Sequence, residues 1–173
     1  MTVSFTPISP WTGQMRADVL AVASSLAELD RAEIFGLRPD WHTPADLTAD
    51  VATLIASGLL LDGFVAYRQP ARDLMAEPFA VALAFRSALP HVAELALFGA
   101  KGHERAIPAV YNHLDARRHS FGAKHGIRLA QLPVLKDHRA ARRMIKRLGG
   151  AEAFDYGPIG KDGASYIHVI WRF

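Results

Sequence analysis

Three rhythms of apolar and polar residues alternate along this chain, and each predicts a kind of element. Val3, Phe5 and Ile8 make a short opening strand, stopped by Pro7 and Pro10. From Asp18 to Phe35 the apolar residues Val19, Val22, Ala23, Leu26, Leu29 and Phe35 recur at helical spacing. That predicts one helix, ended by Gly36. Thr43-Pro44-Ala45-Asp46 supplies an N-cap, a proline suited to a first turn and a capping carboxylate. A second helix is expected from there to about Gly58.

The middle of the chain is strand-like. Leu59 to Tyr67 is apolar, with Gly63 read as a bulge or turn. Gln69-Pro70-Ala71-Arg72-Asp73 is a connection, and Phe79 to Phe85 is a continuous apolar run of strand length. Leu89-Pro90 breaks it, and Val92 to Phe98 follows with one acidic interruption, Glu94. Arg105 to Phe121 is an amphipathic helix with Pro108 in its first turn and Gly122 and Gly126 at its end. Ile127 to Leu135 is a strand. Asp137 is placed to cap a helix whose core face is Ala141, Met144, Ile145 and Leu148, stopped by Gly149-Gly150. Ala153 to Tyr156 and Tyr166 to Phe173 form a hairpin around a glycine-rich loop. The sum is a mixed α+β domain: one sheet of about six or seven strands, mostly antiparallel, with about four helices on its two faces.

Composition narrows the chemistry. The chain has 173 residues, half of them hydrophobic and 21% charged, which fits a single globular domain spanning residues 1–173. No cysteine is present, so disulfides, thiolate metal sites and cysteine nucleophiles are excluded. No signal peptide or membrane span is visible at the N-terminus or elsewhere, and the expectation is a soluble, cytoplasmic protein with no membrane partner.

Charge is distributed unevenly. The net charge is +3, yet Lys101 to Arg147 carries 12 Lys/Arg against 3 Asp/Glu. Such a basic stretch faces an anion (a phosphorylated cofactor, nucleic acid or an acidic partner) or simply coats solvated helices. Arg139, Arg142, Arg143, Lys146 and Arg147 share one helical face, expected opposite the apolar one. The eight histidines show neither HExxH nor i,i+4 pairing, so no metal site is expected. Gly99-Ala100-Lys101-Gly102 is glycine-rich at a strand-to-helix junction but is not a Walker loop. It is either a tight turn or a phosphate contact.

Asp137-His138-Arg139-Ala140-Ala141 through Lys146-Arg147-Leu148-Gly149-Gly150 resembles the N-x-x-A…K-L-G-F helix of the GNAT (N-acetyltransferase) superfamily. Leu95 to Leu114 resembles that family's strand-to-helix passage, where acetyl-CoA is held by its pyrophosphate. The element order matches over most of the chain. The resemblance implies a GNAT-like fold splayed after its fourth strand, with Glu94 as a candidate general base. It also implies Phe98, Gly99, Lys101, Gly102, Arg105 and Ile107 as candidate acetyl-CoA contacts. The departures are specific. The family's R/Q-x-x-G-x-G/A loop corresponds to Gly102-His103-Glu104-Arg105-Ala106-Ile107, where Arg105 and Ile107 fill the small positions. The tyrosine that protonates the departing thiolate in the family corresponds to Ile145.

With those motifs eroded, the sequence favours a non-catalytic structural or binding module. A fainter similarity to GNAT-like internal virion or morphogenesis proteins of short-tailed bacteriophages points to a virion or assembly role. The alternatives are an acetyl-CoA-dependent N-acetyltransferase acting on an amine, and a nucleic-acid-binding module using the basic helices.

Overall fold

The computed structural model describes residues 2–69 and 75–173. The connection expected at 69–73 lies, apart from Gln69, outside them. Strands β1 (Thr2–Pro7), β2 (Leu60–Gln69), β3 (Glu77–Arg86), β4 (Val92–Gly99), β5 (Leu129–Leu135), β6 (Ala151–Gly157) and β7 (Tyr166–Arg172) form one sheet. Its spatial order is β1-β2-β3-β4-β5-β7-β6. All neighbours are antiparallel except β4 and β5. Among the described residues five helices flank it: α1 (Gly13–Ser24), α2 (Glu28–Gly36), α3 (Pro44–Ala56), α4 (Ile107–His125) and α5 (Arg139–Arg147). The expected α+β architecture is present, with one helix more than anticipated.

The extra helix comes from a break in the stretch expected to be one helix over 18–35. α1 begins earlier, where the Thr12 side chain accepts from Met15 N–H at 3.1 Å. It stops at Ser24 because the next residues pair with the sheet instead. Leu26 bridges Ala100, Ala27 N–H donates to the Gly99 carbonyl, and Lys101 N–H donates to the Ser25 carbonyl. Those backbone groups cannot also serve a helix. α3 starts as expected, on a complete capping box between Thr43 and Asp46 with Pro44 in the first turn.

α1 and α3 cover one face, where Ile8, Val19, Val22, Val51, Val65, Val81 and Phe98 are all buried. Asp18 is buried beside that cluster and is satisfied by the Tyr67 hydroxyl at 2.7 Å and the Gln14 amide at 2.9 Å. α4 covers the opposite face over Phe64, Ala66, Phe79 and Ala82. A second core joins α5 to β5 and β7 through Met144, Ile145, Val134, Val169 and Trp171.

Three local expectations are corrected. Gly63 is no bulge: it pairs in register with Leu83, and the shifts fall at Leu60/Asp62 and Ala66/Tyr67. Its lack of a side chain makes room for Ile8, since a Cβ there would lie 3.0 Å from Ile8 Cγ2. Gly122 does not end α4 but sits buried within it, under Phe173. The end is Gly126, left-handed at φ 67°. Asp137 does not cap α5. The capping position is His138, whose ring makes no capping bond because it is engaged elsewhere.

Candidate active site

β4 and β5 run parallel but pair only at Val92–Leu129, Ala93–Ala130 and Glu94–Gln131. Beyond that point they part. The separation leaves strand N–H groups without a ladder partner, and such groups need another acceptor when buried. Helix α2 supplies it. Asp30 Oδ2 accepts from Gly99 N–H at 2.9 Å, and Glu33 Oε2 accepts from Leu135 N–H at 3.0 Å. Pro133, which has no N–H to satisfy, also lies in the parted half of β5.

His138 bridges the two carboxylates, with Nδ1 3.1 Å from Glu33 Oε2 and Nε2 3.6 Å from Asp30 Oδ1. Burial on its own would lower the imidazole's pKa. The hydrogen bond it donates to Glu33 and the charges of both carboxylates outweigh it, so His138 holds its proton above the ordinary histidine range. Asp30 is also raised, chiefly by burial, although the Gly99 N–H bond and His138 work against the shift.

The gap between the strands opens into a cleft of about 580 Å³. Leu95, Leu97, Ile107, Met144 and Ile145 give it apolar walls, while Arg117, Arg143 and Arg147 stand among its lining groups. Tyr111 of α4 also lines it. Burial and then the nearby Asp30 charge push the Tyr111 hydroxyl up to about 12, so it stays protonated in neutral solution. A concave apolar slot with a few converging polar groups is the usual form of a small-molecule site.

At the apex of the gap stands the last paired position, Glu94 opposite Gln131. Gln131 Nε2 donates to Glu94 Oε1 at 2.6 Å. Gln131 Oε1 lies 3.1 Å from His168 Nε2, and His168 Nδ1 lies 2.6 Å from the Tyr156 hydroxyl. One set of proton positions satisfies the whole row. The amide gives its hydrogen to the carboxylate, so its oxygen must accept, and His168 Nε2 carries the proton. His168 Nδ1 is then the acceptor for Tyr156 O–H. Three side chains from β5, β7 and β6 thus point one chain of donors at the Glu94 carboxylate of β4.

The fold has solved counterparts. A GNAT-family acetyltransferase from Streptococcus pneumoniae superposes with a TM-score of 0.70 at 12% identity, over 99% of this chain and 100% of that one. Ribosomal-protein-alanine N-acetyltransferase from Brucella melitensis gives 0.71 at 11% identity, over all of both chains. Spermidine N-acetyltransferase from Vibrio cholerae, solved with CoA and spermine, gives 0.67 at 10% identity, over 98% and 95%. The chain has the GNAT fold. No family model and no curated protein matches the sequence, so the likeness is one of architecture.

Within the GNAT fold the sequence candidates fall unevenly. Gly99 and Ile107 line the cleft, and so does Phe98, although its side chain is buried under α1 and α3. Lys101, Gly102 and Arg105 are exposed on the loop before α4 and are not among the cleft's lining residues. Gly102, at φ 86°, gives its N–H to Glu104 Oε1 at 3.1 Å, so a carboxylate of the chain already occupies that donor. The five basic residues of α5 do not act as one outward face. Arg143 and Arg147 line the cleft, while Arg142 is tied to Glu152 at 2.8 Å and to the Lys136 carbonyl at 2.9 Å.

Two of the three histidines of α4 pack on aromatic rings, and His119 is exposed. His113 stacks on Phe5 with centroids 4.0 Å apart, and His125 lies against Phe121. Among the described residues no group of His, Asp or Glu is placed to hold a metal, and no helix is long and apolar enough to cross a membrane.

Sequence reasoning missed Asp30, Glu33, His138 and Tyr111 as site residues. The first two were hidden on the apolar side of a supposed single helix. The only signal for His138 was its place in the segment that resembles the family's N-x-x-A helix.

Proposed function

We propose that this chain is an acyl-CoA-dependent N-acyltransferase acting on an amine. The observation that carries the reading is an apolar cleft at the β4–β5 gap with a carboxylate beside it: Glu94 is not itself a lining residue, but it is the last paired residue before the gap and precedes Leu95, which lines the cleft. The residues present fit an acyl-CoA. Leu95, Leu97, Met144 and Ile145 line a slot suited to the pantetheine arm, and Arg143 and Arg147 supply cations for its phosphates, whereas Arg117 is already held by Asp62 at 2.6 Å. With Gly102 N–H taken by Glu104, arginine side chains rather than the loop's backbone carry the anion binding.

Acetyl-CoA supplies a reactive thioester. Glu94 takes the proton of the acceptor ammonium, and Gln131 holds the carboxylate ready to accept it. The Tyr111 hydroxyl, protonated and in the cleft, is the group available to protonate the departing thiolate in place of the missing tyrosine at Ile145. Support for acetyl transfer over a virion role comes from the solved neighbours, which are acetyltransferases.

A second reading keeps the fold but not the chemistry. Asp30, Glu33 and Glu104 fill three backbone donors, which favours a binding module whose cleft stays closed to acyl-CoA. The two readings separate in one assay. The protein is incubated with acetyl-CoA and primary amines, including a polyamine and a peptide with a free α-amine, and released thiol is followed. Turnover that falls about 10²–10⁴-fold in Glu94→Gln supports the enzyme. No thiol release on any amine, with the wild-type fold intact, would leave the binding module.

A further inference from the structure

We propose that His168 and Tyr156 are positioning residues for Glu94, acting on it through the Gln131 amide. The proposal rests on the acyltransferase reading and adds two residues to it.

Register puts the row on one face of the sheet. Glu94 pairs with Gln131, and Pro133, two residues further along β5, pairs with His168. Paired residues share a face, and so do residues two apart on a strand. Glu94, Gln131 and His168 therefore point the same way. Tyr156 joins them at a bulge: Asp155 pairs with Ile167 and Gly157 with Tyr166, which leaves Tyr156 without a partner. A bulge of this kind re-aims a side chain. The Tyr156 ring stands edge-on to His168 at 85°, with centroids 5.5 Å apart. Leu95, the next residue of β4, points to the other face and lines the cleft with Met144 and Ile145. His168 and Tyr156 thus reach Glu94 from the side away from the cleft's apolar walls.

Gln131 is the only hydrogen-bond partner of the Glu94 carboxylate among the described residues, with Nε2 2.6 Å from Oε1. A carboxamide presents its nitrogen or its oxygen in nearly the same space, and only the nitrogen donates to a carboxylate. With the oxygen turned towards Glu94, two acceptors would meet and the carboxylate would swing away. His168 removes that choice. Its Nε2–H, 3.1 Å from Gln131 Oε1, holds the amide oxygen on the far side from Glu94. The Tyr156 O–H, 2.6 Å from His168 Nδ1, keeps the imidazole proton on Nε2. The fixed amide ties Glu94 Oε1 and leaves Oε2 to take the proton of the acceptor ammonium. A carboxamide does not pass a proton along, so the row orients Glu94 rather than draining it.

The test uses the whole chain in the thiol-release assay, with acetyl-CoA and the primary amine turned over fastest. His168→Leu should lower kcat about 10–100-fold and leave the KM for acetyl-CoA unchanged. His168→Gln, whose amide nitrogen takes the place of Nε2, should recover most of that loss. Tyr156 is 37% exposed, so Tyr156→Phe tests the row even where His168→Leu does not fold, and it should lower kcat about three- to tenfold. Nitrogen NMR of the imidazole should find the His168 proton on Nε2 in the wild type and on both nitrogens in Tyr156→Phe. Wild-type kcat in Tyr156→Phe and in a folded His168→Leu would overturn the proposal. So would a His168→Gln variant as slow as His168→Leu, or a wild-type proton on Nδ1. A wild type that releases no thiol from any amine would overturn the acyltransferase reading, and this role with it, even with the proton on Nε2.

Discussion

β3 and β6 lie in opposite arms of one sheet and are held in different ways. From Phe79 to Ala84 every residue of β3 is buried, with helices over both faces. β6 is an edge strand, exposed from Ala151 to Tyr156. The arm from β1 to β4 is a packed core. The arm from β5 to β7 is attached by three residue pairs, by the apolar core that joins Ala93 to Val134, Met144 and Trp171, and by polar side chains along the gap: Glu33 to Leu135 and His138, with Asp30 on Gly99, and Gln131 to Glu94. Where packing stops, polar contacts take over, and those are the groups able to do chemistry.

That contrast predicts a steep gradient of mutational cost. Phe79→Ala, at a fully buried ring stacked 5.5 Å from His103, should cost about 3–5 kcal/mol in denaturant unfolding. Phe154→Ala in β6, where the ring is 62% exposed, should stay within about 0.5 kcal/mol. Equal costs would erase the distinction between the arms.

The attachment between the arms is the next place to press. The Tyr166 hydroxyl of β7 donates to the Ala32 carbonyl of α2 at 2.9 Å, and a Cβ on Gly36 would lie 2.1 Å from that oxygen. Gly36→Ala should therefore cost about 1–3 kcal/mol by crowding a rigid ring. Adding Tyr166→Phe should recover part of it, giving a non-additive double-mutant cycle. Additive costs would mean that the two residues do not meet.

A smaller effect follows from His138. Folding raises its affinity for a proton, so its contribution is fully present below the ordinary imidazole pKa and is lost as pH rises through the folded value. Asp30 is raised too, and its slope has the same sign at more acid pH. Wild-type stability should thus decline as pH rises from the ordinary imidazole pKa of about 6.5 through the higher folded value. His138→Gln should flatten that slope and cost about 1–2 kcal/mol at the acid end. A slope unchanged in the variant would remove His138 as its source. At the bottom of the scale, Lys136→Ala breaks an exposed 2.6 Å pair with Asp155 and should leave the unfolding midpoint nearly unchanged.

How legible all this was in the sequence follows the same division. The run Phe79–Phe85, the capping box at Thr43 and the closing hairpin were readable because each depends on neighbours a few residues away. The element order was enough to bring the GNAT resemblance into view. The break at Ser25–Ala27 was not readable, since it is imposed by Gly99, Ala100 and Lys101 some 70 residues later. Glu94 stood out as the one acid in an apolar strand, and it lies at the apex of the gap. Glu33 and His138 meet across 105 residues of chain, and Asp30 reaches Gly99 across 69, and no periodicity carries that information.

The central claim is that the gap between β4 and β5 receives an acyl-CoA. Calorimetric titration with acetyl-CoA at moderate salt tests it most directly. The account predicts saturable binding of one molecule per chain, weakened in Arg143→Glu/Arg147→Glu and retained in Glu94→Gln. No binding up to millimolar acetyl-CoA, by a protein that still unfolds cooperatively, would contradict it.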